Sequence, residues 1–241
     1  MTKAEEIRAE ITALANPEKA HVLSRFFKTG EGEYGYGDKF LGITVPQIRN
    51  VAKRHAATIR TEEIHPLLAD EYHETRLCAL LLLVCKYSDK KTEPEEREQI
   101  FRTYTENTHY INNWDLVDLS APGIVGAHLY GKDCRLLYRY ADSDDMWKQR
   151  IAIVSTYTFI RNGENTHTFT LAEKLLGTKE DLIQKAAGWM LREAGKRDKP
   201  ALEKFLSGHA CNMPRTMLRY AIEKFPEDER KYYMQLGKPR K

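Results

Sequence analysis

The segment Arg76–Val84, RLCALLLLV, begins with a cation and continues as an unbroken apolar run. Three later segments have the same form: Arg150–Thr158 (RIAIVSTYT), Lys185–Leu191 (KAAGWML) and Arg215–Ile222 (RTMLRYAI). Positions 76 and 150 are 74 residues apart, which is twice 37, and the next two intervals are 35 and 30 residues. An apolar helix that returns every 30–40 residues predicts a chain of structural repeats.

A further unit is expected midway between the first two, at position 113, where Asn113 begins the sequence NWDLVDLSA. Helical periodicity runs from Val45 to near Met234, and no segment shows the alternation of a strand. We therefore predict an all-α fold, an α-solenoid of HEAT-like or armadillo-like helix pairs, which curves and presents a concave side. Because no low-complexity linker divides the chain, we expect residues 1–241 to form one continuous domain.

The N-terminal region has its own signals. Thr2 and Glu5 have the spacing of a capping box, and the helix that they start ends before Pro17. The stretch Glu31–Phe40, EGEYGYGDKF, is glycine-rich and irregular. It does not match a phosphate-binding loop, because no strand precedes it and no Lys-Ser or Lys-Thr pair follows it.

Composition narrows the classes of function. The 241 residues carry a net charge of +3, a weak indication of a polyanionic partner. Cys78 and Cys85 lie in an apolar run and no cysteines form a C-x-x-C pair, which favours buried thiols in a reducing compartment. The charged start does not match a signal peptide, and the longest apolar run, Leu77–Cys85, is about half a membrane span. We expect a monomeric cytoplasmic protein, without membrane association, metal or cofactor.

The cations that open the repeated segments occupy equivalent places, so stacking would align them; they are Arg76, Arg150, Lys185 and Arg215. The segment GWMLREAGKRDK adds Arg192, Lys196 and Arg197 close to Trp189. Cations beside an aromatic ring are the composition expected of a surface that follows phosphates. Solvated helix starts are the alternative for each cation alone. The predicted phosphate contacts are Arg150, Lys185, Arg192, Lys196 and Arg197.

The stretch Ile111–Gly126, INNWDLVDLSAPGIVG, places Trp114 and Asp118 four residues apart, on one face of a helix. Core packing explains a single tryptophan well. A carboxylate among apolar neighbours is costly unless it is paired or has a task. A structural bridge from Asp118 to Arg150 in the next unit and a functional site are both compatible with this pattern.

At these residues the chain resembles the AlkD-type DNA alkylation repair enzymes, HEAT-repeat alkylpurine DNA glycosylases. The resemblance rests on NNWDLVD with Trp114 and Asp118, on the cation of WKQRIAIVSTYTFIR, and on the tryptophan of AAGWMLREAGKRD, in this order and spacing. FLGITVPQIRN is similar to the segment before the third helix of that family. The resemblance covers nearly the whole chain.

The resemblance implies that duplex DNA binds in the concave channel. It implies that Asp118 is the catalytic carboxylate, that Trp114 and Trp189 are aromatic walls of the cleft, and that Arg150 contacts the DNA backbone. The implied reaction is hydrolysis of the N-glycosidic bond of N3- or N7-alkylated purines. The sequence shows no dedicated base pocket, and the resemblance implies that the lesion can be processed while it stays largely stacked and the protein grips the DNA backbone. The alternative is a non-catalytic solenoid that binds DNA structures or a protein partner.

Overall fold

Capping residues set the first two helices. In the computed structural model, which describes residues 1–236, Thr2 Oγ1 accepts from the amide of Glu5 at 3.2 Å and the Glu5 carboxylate accepts from the amide of Thr2 at 2.7 Å. This is the predicted capping box. The next helix begins at Pro17, and Asn16 caps it by accepting from the amide of Lys19 at 3.0 Å.

The described residues form helices joined by turns and irregular segments, and no strand occurs among them beyond an isolated bridge between Lys39 and Tyr72. The first helices are α1 (Lys3–Ala13), α2 (Pro17–Phe26), α3 (Val45–His55), α4 (His65–Leu68), α5 (His73–Ser88), α6 (Pro94–Glu106), α7 (Trp114–Asp118) and α8 (Ala127–Leu129). They are followed by α9 (Arg135–Ala141), α10 (Met146–Arg161), α11 (Thr166–Lys174), α12 (Asp181–Arg197), α13 (Lys199–His209), α14 (Arg215–Ala221) and α15 (Glu227–Gln235). The predicted all-α class is confirmed, and this architecture is consistent with an α-solenoid.

The chain divides into two compact units, Met1–His128 and Leu129–Lys241. The prediction of one continuous domain stays a prediction, and its last residues, 237–241, lie outside the described part. Among the described residues, no helix combines the length and the apolar character that crossing a membrane requires.

The first unit is built around α5, which packs against α3, α4 and α6. Its side chains are buried from His73 to Leu83, so the apolar run of the sequence is the centre of this core. Each leucine of the run contributes about 1.5–3 kcal/mol by leaving water. Cys78 is buried as predicted, and burial raises the pKa of its thiol to about 12.

The second unit is centred on α12, which packs against both α10 and α14. The approach to α14 is close: a Cβ at Gly188 would lie 2.4 Å from the carbonyl oxygen of Met217. Only a glycine leaves room for that carbonyl, so the backbones of these two helices can pack without an intervening side chain.

The repeated segments all fall on helices, and Asn113 is the N-cap of α7, where the spacing placed a unit. The cations of these segments make contacts within the protein that the predicted phosphate-following surface did not include. Three donate to main-chain carbonyls: Arg76 to Asp70 and Glu71, Arg150 to Leu182, and Arg215 to Met234 and Leu236. Arg76 is 6% exposed and also binds the Asp38 carboxylate, so its side chain has structural partners, and its place on a phosphate-following surface stays a prediction.

Candidate active site

Trp114 and Asp118 stand at the two ends of α7. Asn113 begins this helix, since its side-chain oxygen accepts from the amide of Trp114 at 2.8 Å. After Asp118 the chain soon enters a π-helical turn, Pro122–Gly126. The predicted helix is confirmed, and the two side chains border the same cavity.

This cavity belongs to the first unit and has a volume of about 520 Å³, within the usual range of small-molecule pockets. Its lining is almost entirely apolar and includes Val22, Phe26, Phe27, Phe40, Ile48 and Leu77. Polar side chains at its border include Lys19, Thr44 and Asp118. Nothing in the sequence indicated the cavity, because its walls come from α2, α3, α5, α7 and the segment 40–43.

Trp114 belongs to a stack of aromatic rings. The ring of Phe27 stacks with that of Trp114 at 5.2 Å and 20°, and with that of Phe40 at 5.0 Å and 17°. Phe26 meets Trp114 edge to face at 6.1 Å. Trp114 is half-buried. Its indole therefore joins the core through Phe27 and also forms part of the cavity wall.

Asp118 places a carboxylate at the edge of an apolar space. It is half-buried, and the preceding Val117 is fully buried. Low-dielectric surroundings strengthen the field of such a group compared with water. A carboxylate in this position can stabilise positive charge on a reacting group brought to the cavity.

Next to α7 lies a buried polar cluster that sequence reasoning missed, and two of its members, His73 and Asp115, also line the cavity. His73 lies between two carboxylates, with Nε2 2.9 Å from Asp115 Oδ2 and Nδ1 3.3 Å from Asp38 Oδ2. Burial opposes charge on the imidazole, but Asp115 and Asp38 outweigh it and raise the pKa of His73 to about 9. Burial likewise opposes ionisation of Asp38, yet His73 and Arg76 lower the pKa of Asp38 to about 2. His73 is 42 and 35 residues from these partners, so no local pattern could have paired them.

In the second unit, α10 and α12 carry the other predicted residues. Trp189 is half-buried, with its ring 6.1 Å from that of Tyr157. Arg150 is 5% exposed, and its Nη1 donates to the carbonyl oxygen of Leu182 at 2.6 Å. Arg150 therefore makes a structural contact that the sequence did not predict. The predicted contact of Arg150 with the DNA backbone stays a prediction.

The remaining cations lie along α12. Lys185 pairs with Asp181 at 2.6 Å. Arg192 and Lys196 share the carboxylate of Glu193, and both border a second cavity, of about 260 Å³. Arg197 ends the helix and is exposed. The structure therefore brings Arg192 and Lys196 together, among acidic partners that the sequence reading had not considered.

Trp114 and Asp118 belong to the first unit, whereas Trp189 and Arg150 belong to the second. The prediction that the two tryptophans flank one cleft stays a prediction, and a bridge between Asp118 and Arg150 stays an alternative. Within residues 1–236, no group of three or more histidine, cysteine, aspartate or glutamate side chains is arranged to hold a metal ion.

The fold and the site define an all-helical protein with a carboxylate and an indole at the border of an aromatic cavity. The family model of the DNA alkylation repair enzymes matches residues 7–225, and the chain belongs to that family. A solved structure described as a predicted DNA alkylation repair enzyme from Enterococcus faecalis is similar, with 18% identity and a TM-score of 0.69. The match covers 88% of this chain and 97% of that one, and at this identity the likeness concerns the fold. No curated protein matches the chain.

Family membership confirms the resemblance seen in the sequence. It gives the protein a role in the repair of alkylated DNA, as an enzyme whose partner is DNA.

Proposed function

We propose that the protein is a DNA glycosylase that hydrolyses the N-glycosidic bond of positively charged N3- and N7-alkylated purines in duplex DNA. The observation that carries this proposal is the pair formed by Trp114 and Asp118 at the border of one apolar cavity. Family membership supports the repair of alkylated DNA as the setting.

The chemistry needs few groups. An alkyl group at N3 or N7 gives the purine a positive charge, so the base leaves readily without a strong acid. As the bond to C1′ breaks, its electron pair neutralises the base and the sugar becomes an oxocarbenium-like cation. Water then bonds to C1′ and releases a proton, which leaves a free neutral base and an abasic sugar.

Asp118 has the properties for two tasks in this reaction. Its negative charge stabilises the cationic sugar, and its oxygens orient the attacking water and accept its proton. The electron-rich face of Trp114 attracts a cationic nucleoside, by about 0.5–2 kcal/mol for such contacts. We assign the same attraction to Trp189, and phosphate contacts to Arg150, Lys185, Arg192, Lys196 and Arg197.

The lesion is proposed to react while it stays largely stacked in the duplex. Selection then rests on the charge and lability of the base, so bulky substituents are tolerated. The cavity beside Asp118 supports this tolerance, because about 520 Å³ of apolar space can take up a substituent much larger than a methyl group. The protein is proposed to act as a monomer in the cytoplasm, without a cofactor.

The test is release of free base from duplex DNA that contains N7-methylguanine. Asp118→Asn is expected to bind the duplex normally and to excise about 10²–10³ times more slowly, the cost of losing one aimed electrostatic group. Asp144→Asn changes an exposed aspartate before α10 and serves as the matched control, with wild-type rates. Wild-type excision by Asp118→Asn would remove the carboxylate from the mechanism. A wild-type protein that binds DNA and releases no base would be the non-catalytic module instead.

A further inference from the structure

Asp38 is the centre of a buried hydrogen-bond cluster. It lies in the glycine-rich stretch Glu31–Phe40, after the last glycine, and its side chain is 4% exposed. Its Oδ1 accepts from Arg76 Nη2 at 2.7 Å and from the side-chain amide of Asn112 at 3.2 Å. Its Oδ2 accepts from the side-chain amide of Asn113 at 3.3 Å. Arg76 belongs to α5, whereas the two asparagines lead into α7. One carboxylate therefore ties the start of α7 to the central helix of the unit.

His73 makes a second connection between the same elements. It is the first residue of α5, and its side chain is 2% exposed. Nε2 donates to Asp115, the second residue of α7, and Nδ1 faces Asp38. Because both ring nitrogens meet carboxylates, the cluster favours the imidazolium, which donates in both directions.

The same imidazole also reaches Trp114 through its ring face. It stacks with Phe40 at 4.6 Å and 24°, and lies 5.1 Å from Phe27. Phe27 stacks in turn with Trp114. His73 thus contacts α7 directly at Asp115 and acts on the adjacent indole through one intervening ring.

Helix α7 depends on such contacts, because it has five residues. Isolated helices shorter than about 12 residues are marginal in water, so tertiary contacts decide where a short helix lies. We propose that His73, bridging Asp38 and Asp115, is a positioning residue that holds α7 so that Trp114 and Asp118 have the geometry required for base excision. This inference rests on the glycosylase function proposed above.

The bridge has a defined dependence on pH. The charged groups that face His73 are Asp38, Asp115 of α7, and Arg76 of its own helix. The neighbouring Glu74 instead accepts from the amides of Leu41, Gly42 and Ile43. The pKa of His73 is raised above its ordinary value of 6.5, so the stabilisation is fully present below pH 6.5 and is lost as the pH rises through about 9.

The test compares His73→Gln with His55→Gln. His55 is also a buried histidine of the first unit, 2.6 Å from the Glu10 carboxylate, but it lies on α3. At pH 7.5 and saturating N7-methylguanine duplex, His73→Gln is expected to excise roughly 10–100-fold more slowly, the cost of a displaced reactive group, with an unchanged Kd. The control is expected to keep the wild-type kcat, although its melting temperature falls. In the wild-type protein kcat should decline around pH 9, and in His73→Gln this step should be absent.

Fluorescence separates this inference from the glycosylase proposal. The difference between each protein and its Trp114→Phe counterpart reports the surroundings of Trp114 whether or not a base is released. This signal should titrate near pH 9 in the wild type and be constant in His73→Gln. A folded His73→Gln protein with wild-type kcat and an unchanged Trp114 signal would overturn the positioning role. If no protein releases base but the Trp114 signal titrates as expected, the glycosylase proposal fails and the contact of His73 with α7 stands.

Discussion

The indole of Trp114 stacks on the ring of Phe27 and also borders the cavity. Its spacing from Asp118 was readable in the sequence because residues four apart share a helix face. The cluster of Asp38, His73 and Asp115 was not readable, because its members are far apart in the chain and only folding joins them. Local spacing along the sequence therefore predicted the pair of Trp114 and Asp118, but it did not predict the buried cluster next to them.

Trp114→Ala is expected to affect excision more than stability. The lost attraction of about 0.5–2 kcal/mol corresponds to a roughly 2- to 30-fold slower reaction. Because Trp114 is half-buried, the free energy of unfolding should fall by less than the roughly 3–5 kcal/mol typical of a buried tryptophan. Thermal melts and single-turnover excision measure the two effects. Alkylated duplex should also quench the fluorescence of the intact indole.

Phe159→Ala is the control for that experiment. Phe159 is 1% exposed on α10 in the second unit, so its truncation should cost about 3–5 kcal/mol of stability. The protein that remains folded should excise at the wild-type rate. If Trp114→Ala behaves in this way as well, the indole is a core residue and its place in the site is wrong.

At the scale of the elements, the segment 40–43 before α3 is a loop whose backbone is held in place by one buried acid, Glu74. The carboxylate of Glu74 accepts from the amides of Leu41, Gly42 and Ile43 at 2.8–3.1 Å. Gly42 has φ of 83°, and a Cβ there would lie 2.1 Å from the carbonyl oxygen of Asn16. This loop borders the cavity and also supports the start of α2. Helical periodicity predicted the helices on either side, but it carries no information about a positive φ.

Gly42→Ala is expected to lower the free energy of unfolding by more than about 3 kcal/mol, because left-handed strain and steric overlap act together. Gly37→Ala is the matched control. Gly37 has φ of 85° with open space around its Cβ position, so only strain remains, about 1 kcal/mol or a shift of roughly 2–4 °C in Tm. Thermal denaturation of both variants checks the difference. Equal shifts would show that the loop yields to the added methyl group.

For the whole molecule, a net charge of +3 is a weak guide, and the placement of cations matters more. The repeat spacing correctly located helices, yet the cations that open the repeated segments include Arg76, Arg150 and Arg215, which donate to main-chain carbonyls. A sequence shows that a cation precedes an apolar helical run, but it does not show whether that cation faces solvent or the interior of the fold. Lys196 and Arg197, at the exposed end of α12, are the better candidates for a surface that meets phosphates.

The combined change Lys196→Ala and Arg197→Ala is expected to weaken binding to damaged and undamaged duplex equally, because phosphate contacts carry no information about the base. Each lost phosphate contact lowers the slope of log K against log salt by about 0.9, so a slope smaller by roughly 2 is expected. Lys90→Ala with Lys91→Ala removes the same charge from an exposed turn of the first unit and serves as control. Salt titrations of binding to both duplexes measure these slopes. A wild-type slope in the α12 variant, or an equal decrease in the control, would show that the end of α12 is not a specific DNA contact.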